Sequence, residues 1–205
     1  MHLEAIKSEQ REIFKRLRAF KEYYLTGGTA LALQIGHRIS LDFDFFSQRE
    51  IPKSLLSEIK KIFGEYKIKI EVNHPEQLTV KLNETGLTFV KYPFPLIFKL
   101  IKYKGIKILS VPEIAATKAF TLGHRATLKD YVDIYFILKE GHISLREIIE
   151  ISRKKFKDEF NQRLFLEQLL YLEDVEDVPI EFLKEEPTKL QIQKFFEKEI
   201  AKLKI

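Results

Sequence analysis

Between Tyr24 and Ser47 the chain runs Tyr-Leu-Thr-Gly-Gly-Thr-Ala-Leu-Ala-Leu-Gln-Ile-Gly-His-Arg-Ile-Ser-Leu-Asp-Phe-Asp-Phe-Phe-Ser, and no other stretch restricts the fold as much. Leu41 to Phe46 alternates strictly and reads as a strand, with Leu41, Phe43 and Phe45 on one face and Asp42 and Asp44 on the other. Two carboxylates about 6–7 Å apart along a strand repel each other unless a cation lies between them, and a hard divalent ion suits them best. The structural alternative is an edge strand with a solvated acidic face. Upstream, Gly27-Gly28 admits positive φ and close backbone approach. Thr29 is expected to cap a short helix ending near Gly36, whose first N–H groups would form an anion site. His37 and Arg38 lie in the connection, where either can reach a phosphate. The order predicts a phosphate cradle followed by a metal-binding pair.

The remaining chain sorts into two halves. Tyr23–Thr26 reads as a short strand, Pro52–Phe63 as a helix, and Tyr66–Val72, Gln77–Leu82 and Leu87–Tyr92 as strands. Residues 3–20 carry a helical period. Ser110 with Glu113 reads as a capping box opening a helix to about His124, and Thr127 opens another that ends before Gly141. From Ser144 onward the pattern is helical, with breaks near Asp158 and from 178 to 187. The expected fold class is α+β: a mixed sheet with flanking helices over 1–109, then a helical half over 110–205. With 205 residues and 45% hydrophobic content the chain can bury a core. It contains no cysteine, which excludes disulfides and Cys-ligated metal sites and fits a cytoplasmic location. No segment approaches the ~20 apolar residues of a membrane span.

The Tyr24–Ser47 stretch resembles the nucleotidyltransferase-fold proteins of the AbiEii/AbiGii toxin family, relatives of the DNA polymerase beta superfamily. Three later blocks extend the resemblance over residues 20–178 in the same order. These are Lys118-Ala-Phe-Thr-Leu-Gly-His-Arg125, Lys129-Asp-Tyr-Val-Asp133-Ile and Tyr171-Leu-Glu-Asp-Val-Glu-Asp177. The resemblance implies a nucleotidyltransferase fold and transfer of a nucleoside monophosphate from a nucleoside triphosphate. It implies Gly27, Gly28 and Thr29 at the phosphates and Asp42 and Asp44 as ligands of Mg²⁺ or Mn²⁺. It also implies Lys118 against the nucleotide phosphates and Asp130 as a later acid needed for activity. Arg38 and Arg125 are further candidates, for nucleotide and substrate. An acceptor such as tRNA and a cognate antitoxin follow from the same resemblance. The third strand carboxylate of polymerase-beta-type sites has no match, because no Asp or Glu occurs from Gly86 to Gly105. Either Asp130 supplies that acid or catalysis is weakened.

Each residue also has a local reading. Lys118 among Ala115, Ala116 and Ala119 is otherwise a solvated lysine, and in either role Lys118→Ala is expected to cost little stability, with activity lost only if the lysine meets a polyphosphate. Asp130 is otherwise the capping-box partner of Thr127, and Asp133 an i,i+4 partner of Lys129. Basic charge is concentrated between Lys91 and Lys129, where eight Lys and Arg stand against the single acid Glu113 while the rest of the chain carries −2. An RNA backbone tracked by Lys102, Lys104, Lys107 and Arg125 would use that surplus. Two other readings stay open: a small-molecule nucleotidyltransferase of the antibiotic-modifying type, and a degenerate fold that binds without catalysis.

Overall fold

The apolar halves of the alternating segments meet in a seven-stranded mixed sheet. A computed structural model describes residues 1–203, which divide into an α/β unit (1–95 and 99–109) and a helical unit (96–98 and 110 onward). The α/β unit contains α1 (Ser8–Arg16), β1 (Tyr24–Thr26), α2 (Gly27–Ile35), β2 (Phe43–Ser47) and α3 (Leu55–Ile62). It continues with β3 (Ile68–His74), β4 (Gln77–Leu82), β5 (Thr85–Lys91), β6 (Ile101–Tyr103) and β7 (Ile106–Ile108). The sheet order is β3-β4-β5-β2-β1-β7-β6, with β2–β5 and β1–β7 parallel and the other pairs antiparallel.

One face of this sheet is closed by side chains that the period of two sends inward. Phe43 and Phe45 of β2, Leu78, Val80 and Leu82 of β4, and Leu87 and Phe89 of β5 are all buried. Phe45 stacks on Phe89 at 5.4 Å between centroids, and Phe20 meets Phe89 edge-on at 4.9 Å. Leu41 departs from the expected pattern: it precedes β2 and is 44% exposed, and its carbonyl instead accepts from the Gln10 side chain. The helical period over 3–20 resolves into α1 flanked by single 3₁₀ turns at Leu3–Ala5 and Leu17–Ala19. The β6–β7 hairpin has no counterpart in the sequence reading. Its two-residue turn, Lys104-Gly105, has φ of 48° and 84°, the positive pair that a type I′ turn requires.

The helical unit holds α4 (Val111–Leu122), α5 (Leu128–Lys139), α6 (Leu145–Phe156), α7 (Gln162–Leu170) and α8 (Lys189–Ala201). Ser144 with Glu147 and Thr188 with Gln191 close true capping boxes. The box expected from Ser110 and Glu113 does not form. Ser110 gives its helix no side-chain cap, and Glu113 turns into the core, fully buried. Its carboxylate accepts from the backbone N–H groups of Ile97 and Phe98 and from Lys155 Nζ of α6 at 2.5 Å. Two backbone N–H donors of the 96–98 segment and a buried cation outcompete a local cap. Ala115, Ala116 and Ala119 leave room for α6 to pack on α4. Among the described residues no helix is long and apolar enough to cross a membrane.

Because Lys155 and Glu113 are both at 0% side-chain exposure, removing one leaves the other charged and buried. Lys155→Met is expected to lower unfolding stability by about 3 kcal/mol. Breaking the exposed pair Lys202–Glu199 should change it by less than about 0.5 kcal/mol. Denaturant midpoints of the two variants check the contrast.

Candidate active site

Three glycines of the α/β unit clear the space in which three site side chains sit. Gly27 opens α2 with φ of 70°, and an ideal Cβ there would lie 2.7 Å from Asp44 Oδ2. A Cβ on Gly28 would lie 2.5 Å from Arg38 Nη2, and one on Gly86 would lie 2.7 Å from Asp42 Oδ1. Those separations are below any real Cβ contact, so a side chain at any of the three would displace its neighbour, and Gly27 needs its positive φ as well. Asp42 is exposed, stands just ahead of β2, and accepts from the Gly86 backbone N–H at 2.9 Å. Asp44 is half-buried in β2. Arg38 is buried, 3% exposed, and donates to the Ile39 carbonyl at 3.1 Å.

Strand register extends this site sideways. Thr26 of β1 lies opposite Asp44, Asp44 opposite Thr88 of β5, and Thr88 opposite Thr79 of β4, all on the face away from Phe43 and Phe45. Thr79 Oγ1 donates to Thr88 Oγ1 at 3.4 Å. The position beside Asp44 where a third strand acid would stand is therefore occupied by a hydroxyl. Thr26 Oγ1 is buried with no hydrogen-bond partner. Thr29 does not cap the helix, which begins before it. Thr26 is the N-cap residue, and the Thr29 hydroxyl lies beside Ser40 Oγ at 2.7 Å and the Asp42 carbonyl. Thr29 thus braces the approach to the carboxylate pair rather than the helix end.

Among the described residues no three His, Cys, Asp or Glu side chains gather to hold a metal ion. A cation here would be held by Asp42 and Asp44 and completed by oxygen ligands from outside the chain. The two carboxylates and the orphaned Thr26 hydroxyl are oxygen donors, of the chemistry that suits a hard divalent ion such as Mg²⁺ or Mn²⁺.

In the helical unit, Lys118 of α4 is 7% exposed and is not a solvated lysine. Its ammonium donates to Asp130 Oδ1 at 2.8 Å and pairs with Asp133 Oδ2 at 2.6 Å. Asp133, fully buried, therefore faces Lys118 rather than Lys129. Thr127 Oγ1 donates to Asp130 Oδ2 at 2.7 Å, so the pair is joined hydroxyl to carboxylate and no capping box closes. Burial pushes the neighbouring Tyr131 phenol up to about 12, and the charge of Asp130 adds to the rise. Tyr131 stays protonated and donates to the Gln168 carbonyl at 2.9 Å. Arg125 lies beyond the end of α4, exposed, so it shares no helix face with Lys118.

Part of the positive charge from Lys91 to Lys129 is already paired. Lys118 is taken up by two aspartates, and Lys91 pairs with Glu50 at 3.1 Å and Glu76 at 3.5 Å. Lys102 and Lys104 are exposed on the β6–β7 hairpin, while Lys107 donates to the Lys21 carbonyl at 2.6 Å.

A family profile described as "Nucleotidyl transferase AbiEii toxin, Type IV TA system" matches residues 12–204. An uncharacterized protein of Aquifex aeolicus (strain VF5) is 28% identical over 200 residues, 95% of this chain and 96% of that one. The nucleotidyltransferase toxin MenT4 of Mycobacterium tuberculosis is similar in structure, with a TM-score of 0.61 at 16% identity, over 92% of this chain and 82% of its own. A candidate nucleotidyltransferase from Helicobacter pylori gives a TM-score of 0.59 at 19% identity, over 95% of this chain and 94% of its own. At these identities the two structures speak for the fold.

Lys118→Ala strips the cation from two buried carboxylates, and is expected to lower stability by about 3–5 kcal/mol. At 2–4 °C per kcal/mol for a chain of this size, the melting temperature should fall by roughly 10 °C. Scanning calorimetry checks the fall; a change below about 2 °C would return Lys118 to a solvated role.

Proposed function

The chain belongs to the AbiEii nucleotidyltransferase toxin family and is a nucleotidyltransferase, and from that premise we propose that it moves a nucleoside monophosphate from a nucleoside triphosphate to an RNA acceptor, tRNA, with Mg²⁺ or Mn²⁺ held by Asp42 and Asp44. The carrying observation is that Gly27, Gly28 and Gly86 each vacate the space taken by a site side chain. Asp42 is fixed by the Gly86 N–H, so its second oxygen is left to a ligand. Asp44 is set against the first turn of α2, where helix geometry leaves N–H groups without intrahelical acceptors for the outer phosphates of the nucleotide. Arg38, packed against Gly28, supports that turn and offsets the phosphate charge. When bound, the divalent ion would neutralise the triphosphate and the leaving pyrophosphate. Lys118 and Asp130 take the roles the resemblance implies, phosphate-charge neutralisation and positioning of the acceptor hydroxyl. Membership in a toxin family supports a cognate antitoxin partner and action in the cytoplasm. RNA as acceptor is supported by the basic charge that stays unpaired on the α/β unit.

Calorimetry with each of the four common triphosphates and Mg²⁺ or Mn²⁺ tests the site. Asp42→Asn together with Asp44→Asn should abolish the metal-dependent part of binding and reduce label transfer roughly a hundredfold or more. Transfer of α-labelled nucleotide to tRNA, with an aminoglycoside and a protein as competing acceptors, tests the acceptor. Label on the aminoglycoside alone would replace the RNA reading with the antibiotic-type one.

A further inference from the structure

Two basic segments more than 80 residues apart in the chain meet on the α/β unit. Gly105 of the β6–β7 turn lies against Arg18, with an ideal Cβ 3.4 Å from Arg18 Cβ. Lys107 reaches the Lys21 carbonyl at 2.6 Å and ties the hairpin to the end of the 3₁₀ turn that follows α1. Between them runs an open groove of about 700 Å³, lined by Lys15, Arg16, Arg18 and Lys21 with a single acid, Glu12.

Not all of these cations are available. Lys15 is paired with Glu12 at 2.5 Å, and Arg16 with Glu65. Arg18, Lys21, Lys102 and Lys104 are exposed, and among the described residues none of the four has an acidic partner. The hairpin adds a second sign of an unmet charge requirement. Lys102 and Lys107 stand directly opposite each other in the β6–β7 register. Like charges at such a pair are destabilising, so the fold tolerates a repulsion that an anion would relieve.

We propose that this groove holds the phosphodiester backbone of the acceptor RNA, gripped by Arg18 and Lys21 of its lining and by the exposed Lys102 and Lys104 of the adjoining β6–β7 hairpin, whose Gly105 lines the groove. The proposal rests on the reading of RNA as acceptor and extends it to a surface separate from Asp42 and Asp44. A single phosphate would engage one or two of these side chains. Several long cations around an open groove suit a chain of regularly spaced charges. Recognition would be blind to sequence, since no base-reading group is needed for it.

The test is RNA binding by fluorescence anisotropy with bulk tRNA from about 50 to 200 mM salt. The wild type is compared with Arg18→Ala/Lys21→Ala/Lys104→Ala and with Lys53→Ala/Lys60→Ala/Lys61→Ala, which removes the same charge from the region of α3. Three lost phosphate contacts should shrink the fall in affinity across that range by roughly twenty- to fortyfold for the groove variant, and by far less for the control. Equal effects of the two variants, or none from the groove variant, would overturn the groove while leaving RNA as acceptor. Polyglutamate binding as strong as tRNA binding would assign the groove to an acidic protein instead and overturn the proposal. No RNA binding by the wild type would overturn both groove and acceptor. Triphosphate binding by calorimetry, retained in the groove variant, separates any of these from failure of the nucleotide site.

Discussion

Residues 43–47 and 87–91 run side by side in the same direction, and the chemistry of the α/β unit follows from that pairing. It brings Gly86 beside Asp42, Thr88 beside Asp44 and Phe89 beside Phe45. On one face the pairing closes an aromatic core; on the other it lines up hydroxyls and a carboxylate across four strands. A slip of one residue would exchange the two faces, burying Asp44 and exposing Phe45. Burial of Phe43, Phe45, Leu87 and Phe89 therefore fixes the register of the acids as firmly as it fixes the core.

The helical unit is organised differently, around buried charge. Lys118 with Asp130 and Asp133, and Lys155 with Glu113, are ion pairs almost wholly out of water. Such pairs add little net stability compared with well-packed apolar residues, because desolvation offsets the attraction. What they do supply is position. Glu113 pins the backbone of Ile97 and Phe98 beside α4, and Lys118 fixes how α5 presents Asp130. In the second case the restrained residues are those that the family resemblance marks for catalysis.

Much of the fold was legible because two periods dominate the sequence. Strict alternation marks β2, β4 and β5, and the 3.6-residue stripe with Ser144 and Glu147 marks α6. The β6–β7 hairpin escaped because its strands have three residues each and its turn carries Lys where Asn or Asp usually signals a positive φ. Spacing alone offers each of three acids a local partner: Ser110 for Glu113, Lys129 for Asp133 and Thr127 for Asp130. Burial decided otherwise for the first two, since a carboxylate at 0% exposure must find a cation or several N–H donors, and those came from α6, α4 and the 96–98 segment. In the site itself, Asp42, Asp44 and Gly27 announced themselves by pattern. Gly86 did not, because its importance lies in a strand pairing between distant parts of the chain.

That last contact has a consequence for how the protein comes into being. Asp42 and the amide that fixes it are 44 positions apart. At a synthesis rate of about 5–20 residues per second, roughly 2–9 seconds separate the appearance of the first from that of the second. Throughout that interval β2 belongs to a nascent chain in which, of its two strand partners, only β1 has been made. A parallel pair cannot form until its crossover has been made, here α3, β3 and β4. The proposed nucleotide site is thus incomplete until Gly86 has been synthesised, well after both acids.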